Sequence, residues 1–243
     1  LGASDELLDV RDGAVLADAD GNLTFVGSYA AARKRHRGPF RDVRPHTIVP
    51  GFVDAHVHYP QTRIIGQATG PLLEWLQESV FPEEARFARG AYARTVADEM
   101  VDRMLAMGTT TAAIFSSSSP RATEVLCETL SARGMRGLVG LTLMDARCPK
   151  ALKLPRERAL AASLELIRRW HGHDDRLAFA VTPRFAISCS RAMLHAAGRL
   201  AAEHDLPIQT HIGETREQGS QTLAVPRGRA YLAAYAEAGP IGP

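Results

Sequence analysis

The stretch Ile48-Val-Pro-Gly-Phe-Val-Asp-Ala-His56-Val-His58-Tyr-Pro-Gln61 decides the reading of this chain. An apolar run reads as a first strand, Ile48 to Asp54, and the His56-Val57-His58 triplet ends it. Side chains alternate across a strand, so the two imidazoles, one residue apart, point to the same side. Two neutral imidazole nitrogens so placed can hold one metal ion, although a bare pair at this spacing is as readily two surface or core histidines. Gln61 follows in a turn that Pro60 stiffens. Its amide both donates and accepts, which suits a heterocycle carrying both kinds of group, but it is equally an ordinary loop glutamine.

Outward from this stretch, apolar runs alternate with longer amphipathic ones, the rhythm of repeated βα units on a parallel sheet. Helical spacing over Tyr92 to Met107 ends at Gly108, and the β-branched run Thr109 to Phe115 follows as a strand. The same alternation predicts helices over Arg121–Arg133, Arg156–Trp170 and Arg191–His204. It predicts strands over Arg136–Met144, Leu177–Val181 and Pro207–His211. No Gly-rich phosphate loop follows the first strand, so a doubly wound nucleotide-binding sheet is disfavoured against an eight-stranded (β/α) barrel. Five of the eight units are read here. Before residue 47, short apolar runs at Leu7–Val10, Gly13–Ala17 and Leu23–Gly27, with a turn at Asp20-Gly21-Asn22, predict a small β element. The expected organisation is a partial small β domain over 1–46 and the barrel over 47–243.

If the strands close a barrel, their C-terminal ends carry the chemistry. His211 ends the fifth strand as the histidine pair ends the first, and three such ligands with an open position make a catalytic zinc arrangement. Glu214, three residues on, is placed for general acid/base work, and equally for the first turn of a helix. Arg184 and Phe185 follow the fourth strand in Thr182-Pro183-Arg184-Phe185. A guanidinium fork there matches a carbonyl oxygen beside a ring nitrogen, and Phe185 offers a ring to stack; the plain alternatives are a surface salt bridge and a core side chain. No lysine ends that strand to bridge two metals, so one metal is read. His36, His46, His171, His173, His195 and His204 lie on helices or in loops and are read as non-ligands.

Charge is nearly balanced, with 29 Lys+Arg against 27 Asp+Glu and no basic stripe, so nucleic acid is excluded as the expected partner. The run Arg33-Lys34-Arg35-His36-Arg37 reads as a solvated face. Three widely spaced cysteines, Cys127, Cys148 and Cys189, fit no disulfide framework and suit a reducing, cytoplasmic setting. No run approaches a membrane span, and the opening residues lack the pattern of a signal peptide.

Several segments, in order, resemble the guanine deaminase family of amidohydrolases: Pro50–Gln61, Leu72-Leu-Glu-Trp-Leu76 before Phe81-Pro82, Gly108-Thr-Thr-Thr-Ala112, Leu143-Met-Asp145, Pro183-Arg-Phe185 and Gln209-Thr-His-Ile-Gly-Glu214. The resemblance implies a (β/α)8 barrel with a small β-sandwich domain, one Zn2+ per subunit, a homodimer, and hydrolysis of guanine to xanthine and ammonia. It implies that His56, His58 and His211 are zinc ligands, that Glu214 shuttles protons, and that Gln61, Arg184 and Phe185 contact the purine. Gly213 replaces the serine usual before that glutamate. It further implies a histidine on a sixth strand and an aspartate on an eighth, neither of which is found before Pro243. Another aminated heterocycle as substrate, or an inactive piece of barrel needing a partner, are the competing readings.

Overall fold

The computed structural model describes residues 8–215 and 235–236. The chain divides between Val49 and Pro50 into two compact units. In the first, strands β1 (Gly13–Ala17) and β2 (Leu23–Ser28) pair antiparallel, and helix α1 (Tyr29–Arg35) follows with Ser28 as its N-cap. The Asp18 carboxylate accepts from the backbone of Asp20 and Asn22, which closes the hairpin turn. Leu8–Val10 forms no strand, contrary to expectation, and Leu7 lies outside the described residues. The basic run proves to be partly an aromatic contact: the guanidinium carbons of Arg35 and Arg33 stand 4.7 and 5.5 Å from the rings of Phe25 and Phe40.

The second unit opens with β3 (Phe52–His58), four residues later than its sequence suggests. Pro50 cannot donate to a ladder, and a side chain on Gly51 would meet Thr110 Oγ1 at 2.1 Å, so the pairing starts beyond both. After β3 come a 3-10 turn (Tyr59–Ile64) and short helices α2 (Leu72–Trp75) and α3 (Phe81–Ala85), joined by a π-helical stretch (Leu76–Val80). Then follow α4 (Gly90–Ala106), β4 (Thr109–Phe115), α5 (Pro120–Arg133), β5 (Arg136–Gly140) and β6 (Thr142–Leu143). The series ends with α6 (Arg156–Trp170), β7 (Leu177–Phe179), β8 (Thr182–Pro183) and α7 (Arg191–Glu203).

Strands β3, β4, β5 and β7 form one parallel sheet in that order, and β6 pairs in parallel with β8. The predicted strand Arg136–Met144 is therefore broken into two, and Leu177–Val181 ends early at Phe179, with β8 lying just beyond it. The break sits where the backbone is too close for regular pairing: a Cβ on Gly140 would meet Thr182 Oγ1 at 1.6 Å and the Ala180 carbonyl at 2.6 Å. The predicted strand Pro207–His211 is not a continuous strand. It runs parallel to residues 181–185 through two isolated bridges, Val181 with Ile208 and Phe185 with His211. The Gln209 side chain ties it inward, donating to the Ile114 carbonyl at 3.1 Å and to Thr182 Oγ1 at 2.9 Å.

The main core lies between strands and helices. Ala112, Ile114, Val139, Leu177 and Phe179 of the strands meet Val96, Met100, Leu126, Leu130, Leu166, Trp170, Met193 and Leu200 of α4 to α7, all buried. Helix ends follow local rules: Ser119 and Ser190 cap α5 and α7, and Gly134 closes α5 with φ +67°. Among the described residues, no helix is long and apolar enough to cross a membrane. Gly140→Ala, which must push Thr182 and the Ala180 carbonyl aside, is expected to cost about 2–3 kcal/mol of stability in urea unfolding. An unchanged midpoint would show that β5 and β8 do not approach as closely as described.

Candidate metal centre and its cavity

His56 and His58 project from the last three residues of β3 and His211 from the segment bridged to Phe185, all at C-terminal ends of parallel segments. Their candidate ligand nitrogens lie within 4.8 Å of one another. His211 Nε2 stands 2.9 Å from His58 Nε2 and 3.3 Å from His56 Nε2. The latter is close to the roughly 3.3 Å that separates two nitrogens bound tetrahedrally at about 2.05 Å from zinc.

The tautomer of His211 follows from its other nitrogen. Nδ1 is 2.7 Å from the Arg184 carbonyl, an acceptor, so Nδ1 carries the proton and Nε2 is a bare lone pair aimed at the other two rings. A backbone carbonyl accepting from the second nitrogen is the usual way a metal-binding imidazole is oriented. Burial holds His58 well below the ordinary 6.5, helped by Arg184 and the other two imidazoles, and burial also lowers His211. The site therefore favours neutral, ligating imidazoles. The three residues fit a single divalent ion, offering nitrogen donors gathered on one side.

Phe115, the last residue of β4, forms the floor. Its ring stacks on His58 at 4.7 Å and 22°, and lies 4.4 Å from His211 and 5.1 Å from His56. The buried Tyr235 hydroxyl donates to the His211 carbonyl at 3.1 Å, and the Thr210 hydroxyl lies 3.1 Å from it. His211 is thus fixed through ring, carbonyl and amide, the last donating to Arg184 at 3.1 Å.

A cavity of about 440 Å³ opens over the histidines, and all seven residues singled out in the sequence line it: His56, His58, Gln61, Arg184, Phe185, His211 and Glu214. Leu72, Trp75 and Leu76 add an apolar wall. Glu214 is exposed and close enough for its charge to raise His211. Phe185 is buried within a second apolar cluster with Leu76, Phe81 and Met144, so its cavity-lining and core roles coexist. Arg184 is no surface residue. It is 2% exposed, its Nη1 lies 2.5 Å from Glu84 Oε2, and its guanidinium stands 5.1 Å from the Phe81 ring centre. Phe115 and Glu84 escaped the sequence reading, because an aromatic ending a strand and a glutamate in a short helix look like core and solvent residues.

A parallel βα series with three histidines gathered at the C-terminal ends of its strands defines a metal-dependent hydrolase class, and a model of the Amidohydrolase family matches residues 47–229. The chain belongs to that family. Within it, the chain is 37% identical over 98% of its length to a probable guanine deaminase of Deinococcus radiodurans, of which it covers 56%. It superposes on the crystal structure of guanine deaminase from Bradyrhizobium japonicum with a TM-score of 0.88 and 39% identity, covering 93% of this chain and 49% of that one. It superposes at TM-score 0.90 and 27% identity on the guanine deaminase of C. acetobutylicum with guanine bound in the active site, covering 97% and 56%. The chain spans about half the length of these relatives.

Replacing His211 or His58 with alanine should abolish divalent-metal binding by the purified protein, measured by metal analysis after dialysis against zinc. Retention of one ion per chain in both variants would place the metal elsewhere. The depressed imidazoles also fix a pH dependence. A group that binds its proton less tightly folded than unfolded leaves the unfolded chain with more bound protons below the unfolded value. Metal-free protein should therefore lose stability as pH falls through and below 6.5, and its melting temperature should recover in a His58→Gln variant.

Proposed function

We propose that the protein is a zinc-dependent guanine deaminase, hydrolysing guanine to xanthine and ammonia. The observation that carries this reading is the convergence, on one cavity, of three imidazoles with an arginine, a glutamine and a carboxylate. The similarity to guanine deaminases over nearly the whole chain supports it.

In this reading His56, His58 and His211 hold one Zn2+, which when bound supplies the Lewis acidity that brings water to near-neutral acidity. Glu214, on the loop after His211, takes a proton from the hydrolytic water as its oxygen bonds to C2 and passes that proton to N3 of the purine; it then relays the remaining C2 hydroxyl proton to the amine, which leaves as ammonia while the C2 carbonyl forms. Arg184 and Gln61 read the purine edge: the guanidinium donates to a carbonyl oxygen or ring nitrogen, and the amide both donates and accepts. Phe185 and the wall of Leu72, Trp75 and Leu76 enclose the flat ring and exclude water from it.

The same reading takes the parallel series as five opening units of a (β/α)8 barrel, and residues 1–46 as part of a small β-sandwich domain. The parallel strand order and the helix between successive sheet strands support the barrel. A homodimer follows the family resemblance, and three free cysteines suit a cytoplasmic setting.

The full-length protein supplied with zinc should release ammonia from guanine, and chelation should stop it. Glu214→Gln should lower kcat by about 10²–10⁴ while leaving zinc content unchanged, as expected for loss of a general acid/base. Ammonia release at the wild-type rate by that variant would remove Glu214 from the chemistry. A folded, zinc-replete protein inert towards guanine but active on another aminated heterocycle would move the substrate assignment.

A further inference from the structure

The wall segment of the cavity carries a residue that the proposed chemistry does not use. Glu84, in α3, is 2% exposed and its carboxylate meets the Arg184 guanidinium at 2.5 Å. Among the described residues no other hydrogen-bond acceptor meets that guanidinium. Phe81, one turn earlier on the same short helix, covers it at 5.1 Å. The backbone of Arg184 is fixed as well, its amide donating to Leu143 at 3.2 Å and its carbonyl accepting from His211.

A buried ion pair contributes little net stability over an apolar replacement, because desolvating both charges offsets their attraction. Its value here lies in direction. A guanidinium has five N–H donors in a rigid plane; a carboxylate on one edge and a ring across one face leave it a single orientation, with its remaining donors free for a ligand in the cavity that it lines. An unpaired Arg184 at this depth would swing towards any carbonyl within reach.

We infer that Glu84 is a positioning residue for substrate recognition. It locks the Arg184 guanidinium against the Phe81 ring, so that the free N–H edge meets the carbonyl and ring-nitrogen edge of the bound heterocycle. The segment Leu72–Ala85 then supplies both the cavity wall and the lock, so that wall and lock form together. This rests on the reading of the cavity as a site for an aminated heterocycle.

The test uses the full-length, zinc-loaded protein, profiled first on guanine and on other aminated purines and triazines, so that an error in the substrate shows itself separately. On the substrate found, Glu84→Gln, which keeps the shape and removes the charge, should raise KM roughly tenfold with kcat within about threefold and zinc content unchanged. On an Arg184→Ala background the same change should add nothing. A KM within twofold of wild type, or an equal rise with and without Arg184, would overturn the inference. Should Glu84→Gln fail to fold, Glu84→Asp, which withdraws the carboxylate by one methylene, must raise KM instead; an unchanged KM overturns the inference equally. If the wild type turns nothing over, crystal structures decide it: the Arg184 guanidinium must move by more than about 1 Å in the variant, and a guanidinium left in place refutes the lock.

Discussion

The Arg184 backbone carbonyl, by taking the Nδ1 proton of His211, turns that ring's Nε2 into a lone pair 2.9 Å from His58 Nε2 and 3.3 Å from His56 Nε2. His211 cannot donate from Nε2, because its proton is committed to the Arg184 carbonyl through Nδ1. That lone pair must be met by the N–H of a neighbouring neutral imidazole or by a cation, because burial of His58 and His211 disfavours the imidazolium form. The rest of the second unit can be read as the apparatus that keeps this cluster in place. Two of its members come from a strand with alternating side chains, and the third arrives on a segment tied down by Gln209, Thr210, Tyr235 and the backbone of Arg184.

The floor of the cluster follows from strand register. His58 is paired with Phe115 across β3 and β4, and parallel pairing places their side chains next to each other on the same face. A ring at that position excludes water beneath the imidazoles and leaves the upper side as the open position. It also limits rotation of His58, which stacks on it nearly parallel. A smaller residue there would leave His58 free to turn its Nε2 away from the other two nitrogens.

The βα rhythm and the helix limits were legible in the sequence because periodicity and end signals agreed. Gly108 and Gly134, both at positive φ, stand just past helices whose apolar stripes stop there. The strands were less legible. Their limits are set by close backbone approaches, at Gly51 against Thr110 and at Gly140 against Thr182, and such contacts between distant residues leave no local pattern. The candidate site was legible where residue type and strand end coincided, as at His56, His58 and His211. It was illegible where a role depends on a partner far away in the chain: Glu84 and Arg184 are 100 residues apart, and only the fold makes one the counter-charge of the other.

In the proposed function Arg184 joins the metal centre to ligand recognition. Its backbone carbonyl fixes the tautomer of a candidate metal-ligating histidine, while its side chain faces the cavity and is paired with Glu84. The geometry of the metal centre and the geometry of ligand recognition therefore share one residue, whose amide is anchored on Leu143 beside the short β6–β8 pair. Because one residue carries both contacts, their relative position is set within Arg184 itself rather than between separate elements. For the proposed reaction, in which an attacking water and a ring atom must meet closely, relative position is the quantity that matters. The absence of a side chain at Gly140, where a Cβ would meet Thr182 Oγ1 and the Ala180 carbonyl, is what lets β5 run up against the β6–β8 pair on which Arg184 is anchored.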